Sequence, residues 1–246
     1  MTKFDIKFIT PLFSRGSYDN QPEIRPSSIR GQLHWWFRAL GGKHREEKDI
    51  FGGIHGGAIA SRIIIRVGNI NGEENKLATL PHKTGGKAAP KVAFIPGTQF
   101  ELHVLPRLGG LSSSLPCKFD RAFEAWLLLG SLGLRSTRGA GSFKWQPSTN
   151  SELVYPETFE QYDARCQKLL HHEPLKYALL QDVYEDSEKA RKVVSDTLGG
   201  RDDRQGENDL QRLNHPLGRA FGQRKTSPLR FRIVEIDGQF RIAALW

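Results

Sequence analysis

The chain has 246 residues, of which 38% are hydrophobic and 26% charged. That is enough apolar material for one large domain or two small ones, and too much for wholesale disorder. No run of about 18 apolar residues marks a membrane span, and two cysteines, Cys117 and Cys166, are too few for a disulfide framework or a zinc site. The formal net charge is +9, unevenly spread: residues 1–150 carry a net +10, 151–215 a net −5 and 216–246 a net +4. A polyanion-binding surface assembled from the two ends would have this distribution, and so would a basic protein with no such partner.

"MTKFDIKFIT" reads as a strand rather than a signal peptide, so a soluble, cytoplasmic protein is expected. Phe4, Ile6 and Phe8 alternate with Lys3, Asp5 and Lys7, the pattern of a half-buried strand. A loop punctuated by Pro and Gly follows, and the spacing then predicts a helix starting near Ser27 as N-cap. Ile29, Leu33, Trp36, Phe37 and Leu40 form its buried face, and Gly41-Gly42 ends it. A Gly-rich link, "IFGGIHGGA", leads to the strand "SRIIIRV", with Arg62 and Arg66 on its outer face. Residues 68–96 are polar and read as an unusually long loop. "TQFELHVL" is a strand, "FDRAFEAWLLLGSLGL" a deeply buried helix, and "RSTRGAGSFKW" a return to a short strand. The order β-α-β-β-α-β is that of ferredoxin-like domains.

Beyond residue 150, residues 156–200 read as two helices and 201–215 as a charged loop. Two strands then close the chain around Asp237-Gly238, a tight-hairpin dipeptide. "IFGG" before "SRIIIRV" is echoed by "AFGQ" before "SPLRFRI", with Arg230 and Arg232 expected to point outward as Arg62 and Arg66 do. The expected organisation is therefore a complete domain over 1–150 and a second, reduced half over 151–246.

Two stretches could hold a polyanion. On the first helix, Arg30, His34 and Arg38 lie at successive i+4 steps, off the buried face. Arg25 and the hydroxyls of Ser27 and Ser28 sit at the N-terminus, where the helix dipole favours phosphate. The alternative is a solvated cationic face. Trp35, between the two faces, could stack on a base or pack at an edge. In "LGLRSTRGAGSFKW", Gly139 and Gly141 allow close backbone approach among Arg135, Arg138 and Lys144. The alternative there is a tight glycine turn. The loop is neither a Walker A motif nor GxGxxG.

Eight histidines include no HExxH and no metal-ligand spacing, so neither metal nor cofactor is assigned. His34 is the one candidate general acid–base, and it reads more simply as a polar-face residue or an RNA contact.

"TPLF", "RPSSIRGQLHWWFRAL" and "IFG" together resemble the N-terminal signature of the subunit-one family of the Cmr module, in type III-B CRISPR effector complexes. "RSTRGAGSF" is similar to the glycine-rich loop of the repeat-associated mysterious protein (RAMP) superfamily to which that family belongs. "FGQRKTSPLRFRI" is similar to the family's C-terminal segment. The resemblance implies an α+β, ferredoxin-like (RRM-like) RAMP fold, with a second half trimmed to a helical insert and a strand pair. It implies a non-catalytic RNA-binding subunit holding the 3′ part of the CRISPR RNA, or the target RNA, beside other RAMP subunits in antiviral defence. Carried over by position, the RNA contacts are Arg25, Ser27, Ser28, Arg30, Gln32, Trp35 and Arg38, with Arg135, Arg138, Gly139 and Gly141. Two further readings stand beside it: a RAMP endoribonuclease with His34 as general acid or base, and an architectural subunit that binds only protein neighbours.

Overall fold

The computed structural model describes residues 2–18, 20–54, 57–107, 115–148, 153–199 and 227–246. The first half runs β1 (Thr2–Phe8), α1 (Pro26–Ala39), α2 (His44–Phe51), β2 (Ile63–Asn71), β3 (Glu74–Ala78), β4 (Pro90–Phe94), β5 (Gln99–Pro106), α3 (Leu115–Leu129) and β6 (Phe143–Pro147). Four of these strands form an antiparallel sheet in the order β2-β5-β1-β6, the strand order of a ferredoxin-like domain. β3 and β4 pair separately.

Alternation along the strands decides which face is covered. Phe4 and Ile6 stand opposite Leu102 and Phe100, and all four are buried with Ile29, Leu33, Trp36 and Phe37 of α1 and Phe119, Phe123 and Trp126 of α3. The opposite face carries rows of polar side chains. Arg66, His103 and Lys3 are in register, as are Gly68, Glu101, Asp5 and Gln146, and as are Gln99, Lys7 and Lys144. No Phe, Tyr or Trp occupies these outward positions, so the sheet offers no aromatic platform of the kind RRM sheets use for base stacking.

The second half contains α4 (Phe159–Leu170), β7 (Tyr177–Leu179), α5 (Ser187–Gly199), β8 (Arg230–Ile236) and β9 (Gln239–Leu245), with a sheet in the order β7-β9-β8. Asp237 and Gly238, at φ 55° and 69°, make the two-residue turn between β8 and β9. That conformation is what the Asp-Gly pair favours. One hydrophobic cluster joins the halves, containing Trp145 and Phe4 together with Tyr162, Val234 and Leu245.

Several expectations need correction. Residues 68–96 are no long loop: β2 runs on to Asn71, and β3 and β4 occupy much of the rest. Ser27 is not the N-cap. Pro26 takes the first helical position, which suits a residue without an N–H, and Arg25 is the cap residue, with no side-chain capping bond. α2 and β7 are additional elements. Arg232 points inward and is 0% exposed. It donates to the carbonyls of Trp126 (3.3 Å), Gly130 (2.5 Å) and Phe143. Residues 201–215 and the echo "AFGQ" at 220–223 lie outside the described residues.

Candidate nucleic-acid interface

The cationic stripe of α1 forms as its periodicity predicts, because Ile29, Leu33, Trp36 and Phe37 turn the other face of the helix to the core. At its N-terminus Ser27 is exposed and Ser28 partly so, and Gln32 is partly exposed one turn on. The Arg25 carbonyl accepts from the N–H groups of Ser28 and Ile29.

Arg30 donates to the Phe51 carbonyl at the end of α2. Its pKa is lowered by burial, and further by the charge of Arg107. Arg30 and Arg107 line an open concavity of about 740 Å³ with His34, Phe51, Gly52 and Ile59. His34 donates from Nδ1 to Glu47 Oε1 at 2.6 Å, and its ring stacks on Phe51 with centroids 4.1 Å apart. Arg38 is exposed, with Nε 3.4 Å from the same Glu47 oxygen. The stripe is thus one open arginine pair, one histidine fixed by a buried carboxylate, and one ion-paired arginine.

The glycine loop has a different character. Gly139 and Gly141 adopt φ 76° and 63°, but what approaches them is the chain itself. The Gly139 N–H donates to the Phe231 carbonyl (3.1 Å) and the Gly141 N–H to that of Pro11 (2.8 Å). A Cβ on Gly141 would collide with the Leu132 carbonyl. The Gly139 carbonyl accepts from the hydroxyls of Thr10 (2.8 Å) and Ser142 (3.0 Å). These two amides are therefore occupied by protein carbonyls, which is the tight-turn alternative, and the cations of the loop are its remaining candidate contacts.

Arg135 and Arg138 flank that turn. Burial lowers the pKa of Arg138, and Arg135 lowers it further. The connection between β3 and β4 reaches the same cluster. His82 Nδ1 lies 2.6 Å from Ser195 Oγ on α5, and the His82 pKa is lowered first by burial and then by Lys83, Arg138 and Arg135, with Asp196 opposing.

Lys144 is drawn away from both clusters, into an ion pair with Glu235 (3.3 Å) and a position over the Tyr155 ring. Trp35 is partly buried, and the guanidinium of Arg230 sits over its ring.

Sequence reasoning missed Arg107, Lys83, His82 and Glu47. Arg107 was within reach of the predicted topology. Pairing β2 with β5 sets Ile63 opposite Pro106, so Arg107 follows directly beside Arg62, whose carbonyl accepts its N–H at 2.7 Å. Lys83 carried no such signal, because it lies in a stretch read as loop.

A description of the RAMP superfamily matches residues 5–144. The chain is 32% identical over 181 residues to the CRISPR system Cmr subunit Cmr1-2 of Pyrococcus furiosus, spanning 58% of this chain and 94% of that protein. The crystal structure of Cmr1 from Pyrococcus furiosus in its apo form superposes with a TM-score of 0.62 at 20% identity, over 99% of this chain and 86% of that one. A chain of the type III-B Cmr-beta complex bound to cognate target RNA gives a TM-score of 0.65 at 9% identity, over 99% and 93%. These two structures establish likeness of fold, and the sequence relative narrows the family. With the ferredoxin-like strand order and the match across residues 5–144, the chain belongs to the RAMP superfamily and, within it, to the family of Cmr1 subunits.

Proposed function

We propose that the chain is a non-catalytic, RNA-holding subunit of a type III-B CRISPR effector complex. Its ligand is single-stranded RNA, the 3′ part of the CRISPR RNA or the incoming target RNA, and its protein neighbours are other RAMP subunits. One observation carries this reading. Lys3, Lys118, Arg121, Lys144, Arg165 and Arg191 each have a carboxylate partner. Arg30, Arg107, Arg135 and Arg138 have none among the described residues. They stand instead as two arginine pairs, each with one member partly desolvated beside a like charge. That arrangement costs folding energy unless an anion relieves it, and a phosphate chain supplies anions at the required repeat.

The test is the salt dependence of single-stranded RNA binding by the full chain. The affinity falls steeply with salt, and Arg30→Ala and Arg138→Ala each reduce the logarithmic slope by about 0.7. Undiminished binding by both variants removes the surface. A chain that ignores RNA yet enters the complex is an architectural subunit.

The contact between His34 and Glu47 favours a second reading. A histidine oriented by a buried carboxylate beside two arginines is the geometry of a general base at a phosphate. Metal-independent cleavage of repeat RNA, lost in His34→Ala, would establish that endoribonuclease reading in place of the first.

A further inference from the structure

His82 stands where the connection between β3 and β4 is fastened to α5. Thr79, buried, donates to the Ala89 carbonyl (2.9 Å) and closes that connection on itself. Arg191 of α5, also buried, donates to the Ala78 carbonyl (2.9 Å) and to Glu188 (2.7 Å). His82 makes the next contact along, with Nδ1 2.6 Å from the hydroxyl of the buried Ser195. The ring is thus fixed in place, and among the described residues no protein group bonds its Nε2. The charged groups that face it are Lys83 from its own connection, Arg135 and Arg138 from the glycine turn, and Asp196 from α5. Lys83 is exposed and both arginines are partly so. Burial lowers the His82 pKa most, and the three cations lower it further against the pull of Asp196, so the ring is neutral at pH 7. A phosphate among Lys83, Arg135 and Arg138 reverses that balance. It offsets the charges that oppose protonation and gives the ring a second acceptor.

We propose that Lys83, Arg135, Arg138 and His82 hold one phosphate of the bound RNA together, and that filling this site puts a proton on His82. The inference rests on the RNA reading and adds to it two residues, Lys83 and His82, and a dependence on pH. The proton comes from the solvent and returns to it when the RNA leaves. Doubly protonated, the ring donates from one nitrogen to Ser195 and from the other to the phosphate. A histidine neutral in the free chain and charged in the complex makes affinity rise as the pH falls through its bound-state pKa. The gain levels off below its free-state pKa. Because α5 holds the ring, the second half of the chain takes part in a site whose arginines belong to the first.

The test follows binding of a labelled polyuridine RNA, whose bases do not titrate near neutrality, to the full chain by fluorescence anisotropy between about pH 5.5 and 8. Affinity rises towards acid pH, by about tenfold overall for a His82 pKa that stands about one higher in the complex. His82→Asn keeps a polar group for Ser195 but cannot titrate, and it flattens this dependence. Lys83→Gln reduces the logarithmic salt slope by about 0.7. The asparagine variant also alters the contact with α5, so the ring is followed directly as well. In NMR titrations of the wild-type chain, the His82 pKa rises when saturating RNA is added. An unchanged His82 pKa in the complex overturns the proposal, as does a pH dependence as steep in His82→Asn as in the wild type. The two readings fail separately. Wild-type chain that binds no RNA at any pH defeats the RNA reading and this site with it. RNA binding that Arg138→Ala weakens, but that is indifferent to pH, defeats only the proton-linked site.

Discussion

Arg230 of β8 sits over the indole of Trp35 on α1, its guanidinium carbon 3.8 Å from the ring centroid. Trp35 is also set edge-on to Trp36, at 5.0 Å between centroids and 90° between planes. One face of the ring expected to stack on a base is therefore covered by a cation from the other half of the chain. Burial lowers the pKa of Arg230, as a desolvated guanidinium on an aromatic face requires, and such contacts contribute about 0.5–2 kcal/mol. Arg230→Gln should thus destabilise the fold by about 1 kcal/mol. In a double-mutant cycle with Trp35→Leu, urea unfolding should give a coupling of at least about 0.5 kcal/mol. Strictly additive single effects would remove the interaction.

Arg232, two residues further along β8, serves a different end. Its guanidinium closes the C-terminal end of α3 by donating to the carbonyls of Trp126 and Gly130, and it anchors the start of β6 by donating to that of Phe143. It also lies over the Phe143 ring at 4.6 Å. Arg232→Met keeps much of the stem and takes this donor from the Gly130 and Phe143 carbonyls in the core, while the Trp126 carbonyl keeps the Gly130 N–H (2.8 Å). Each buried unsatisfied group costs about 1–3 kcal/mol, so a loss of at least about 2 kcal/mol is expected for the two carbonyls, read as a lower urea midpoint. Arg232→Lys keeps the charge without the planar fork and should fall between the two. A methionine variant as stable as wild type would show that the carbonyls find other donors.

What could be read from the sequence follows from where water lies. β1 has one wet face, so its alternation gave the inward residues correctly, and α1 revealed its core face and its arginine stripe for the same reason. β8 is buried on both sides: Phe231, Arg232, Ile233 and Val234 are all in the core. Alternation therefore misplaced Arg232, whose partners lie 89 to 106 residues away in the chain. The glycines of the 139–141 turn were legible as special conformations. Whether a ligand or the chain's own carbonyls approached them was not, because Pro11 and Phe231 arrive from opposite ends of the sequence. The site divides in the same way. Arg30 belongs to a local pattern, whereas Arg107 and Lys83 join their clusters only through strand pairing and tertiary packing.

Arg135 allows binding to be separated from stability. It adopts φ 62° without being glycine, and its carbonyl accepts the N–H groups of Arg138 (2.8 Å) and Ala140 (3.3 Å). Left-handed backbone costs an L-residue about 1–2 kcal/mol. Arg135→Gly relieves that cost while adding a comparable loss through the freer unfolded chain. The melting temperature should therefore stay nearly constant, while RNA affinity drops and the salt slope shrinks by about 0.7. Unchanged RNA affinity in a stable Arg135→Gly protein would exclude this cluster from the interface.

On the outer face of the main sheet, Glu101 is held at a pKa of about 2, against an ordinary value of 4.5. The hydrogen bond from Lys3 (2.6 Å) is the largest cause, followed by Asn69 and by His103 at 3.1 Å. A carboxylate with a depressed folded-state pKa binds its proton more readily in the unfolded chain. Its contribution to stability is therefore complete above pH 4.5 and is lost as the pH falls from 4.5 towards 2. Glu101→Gln removes the titrating group, so its urea midpoint should fall less than that of the wild type across this window. The two proteins should keep a constant difference between pH 5 and 7, where Glu101 is ionised in both the folded and the unfolded chain. Parallel losses below pH 4.5 would mean that Glu101 does not contribute to acid sensitivity, and that other carboxylates carry it.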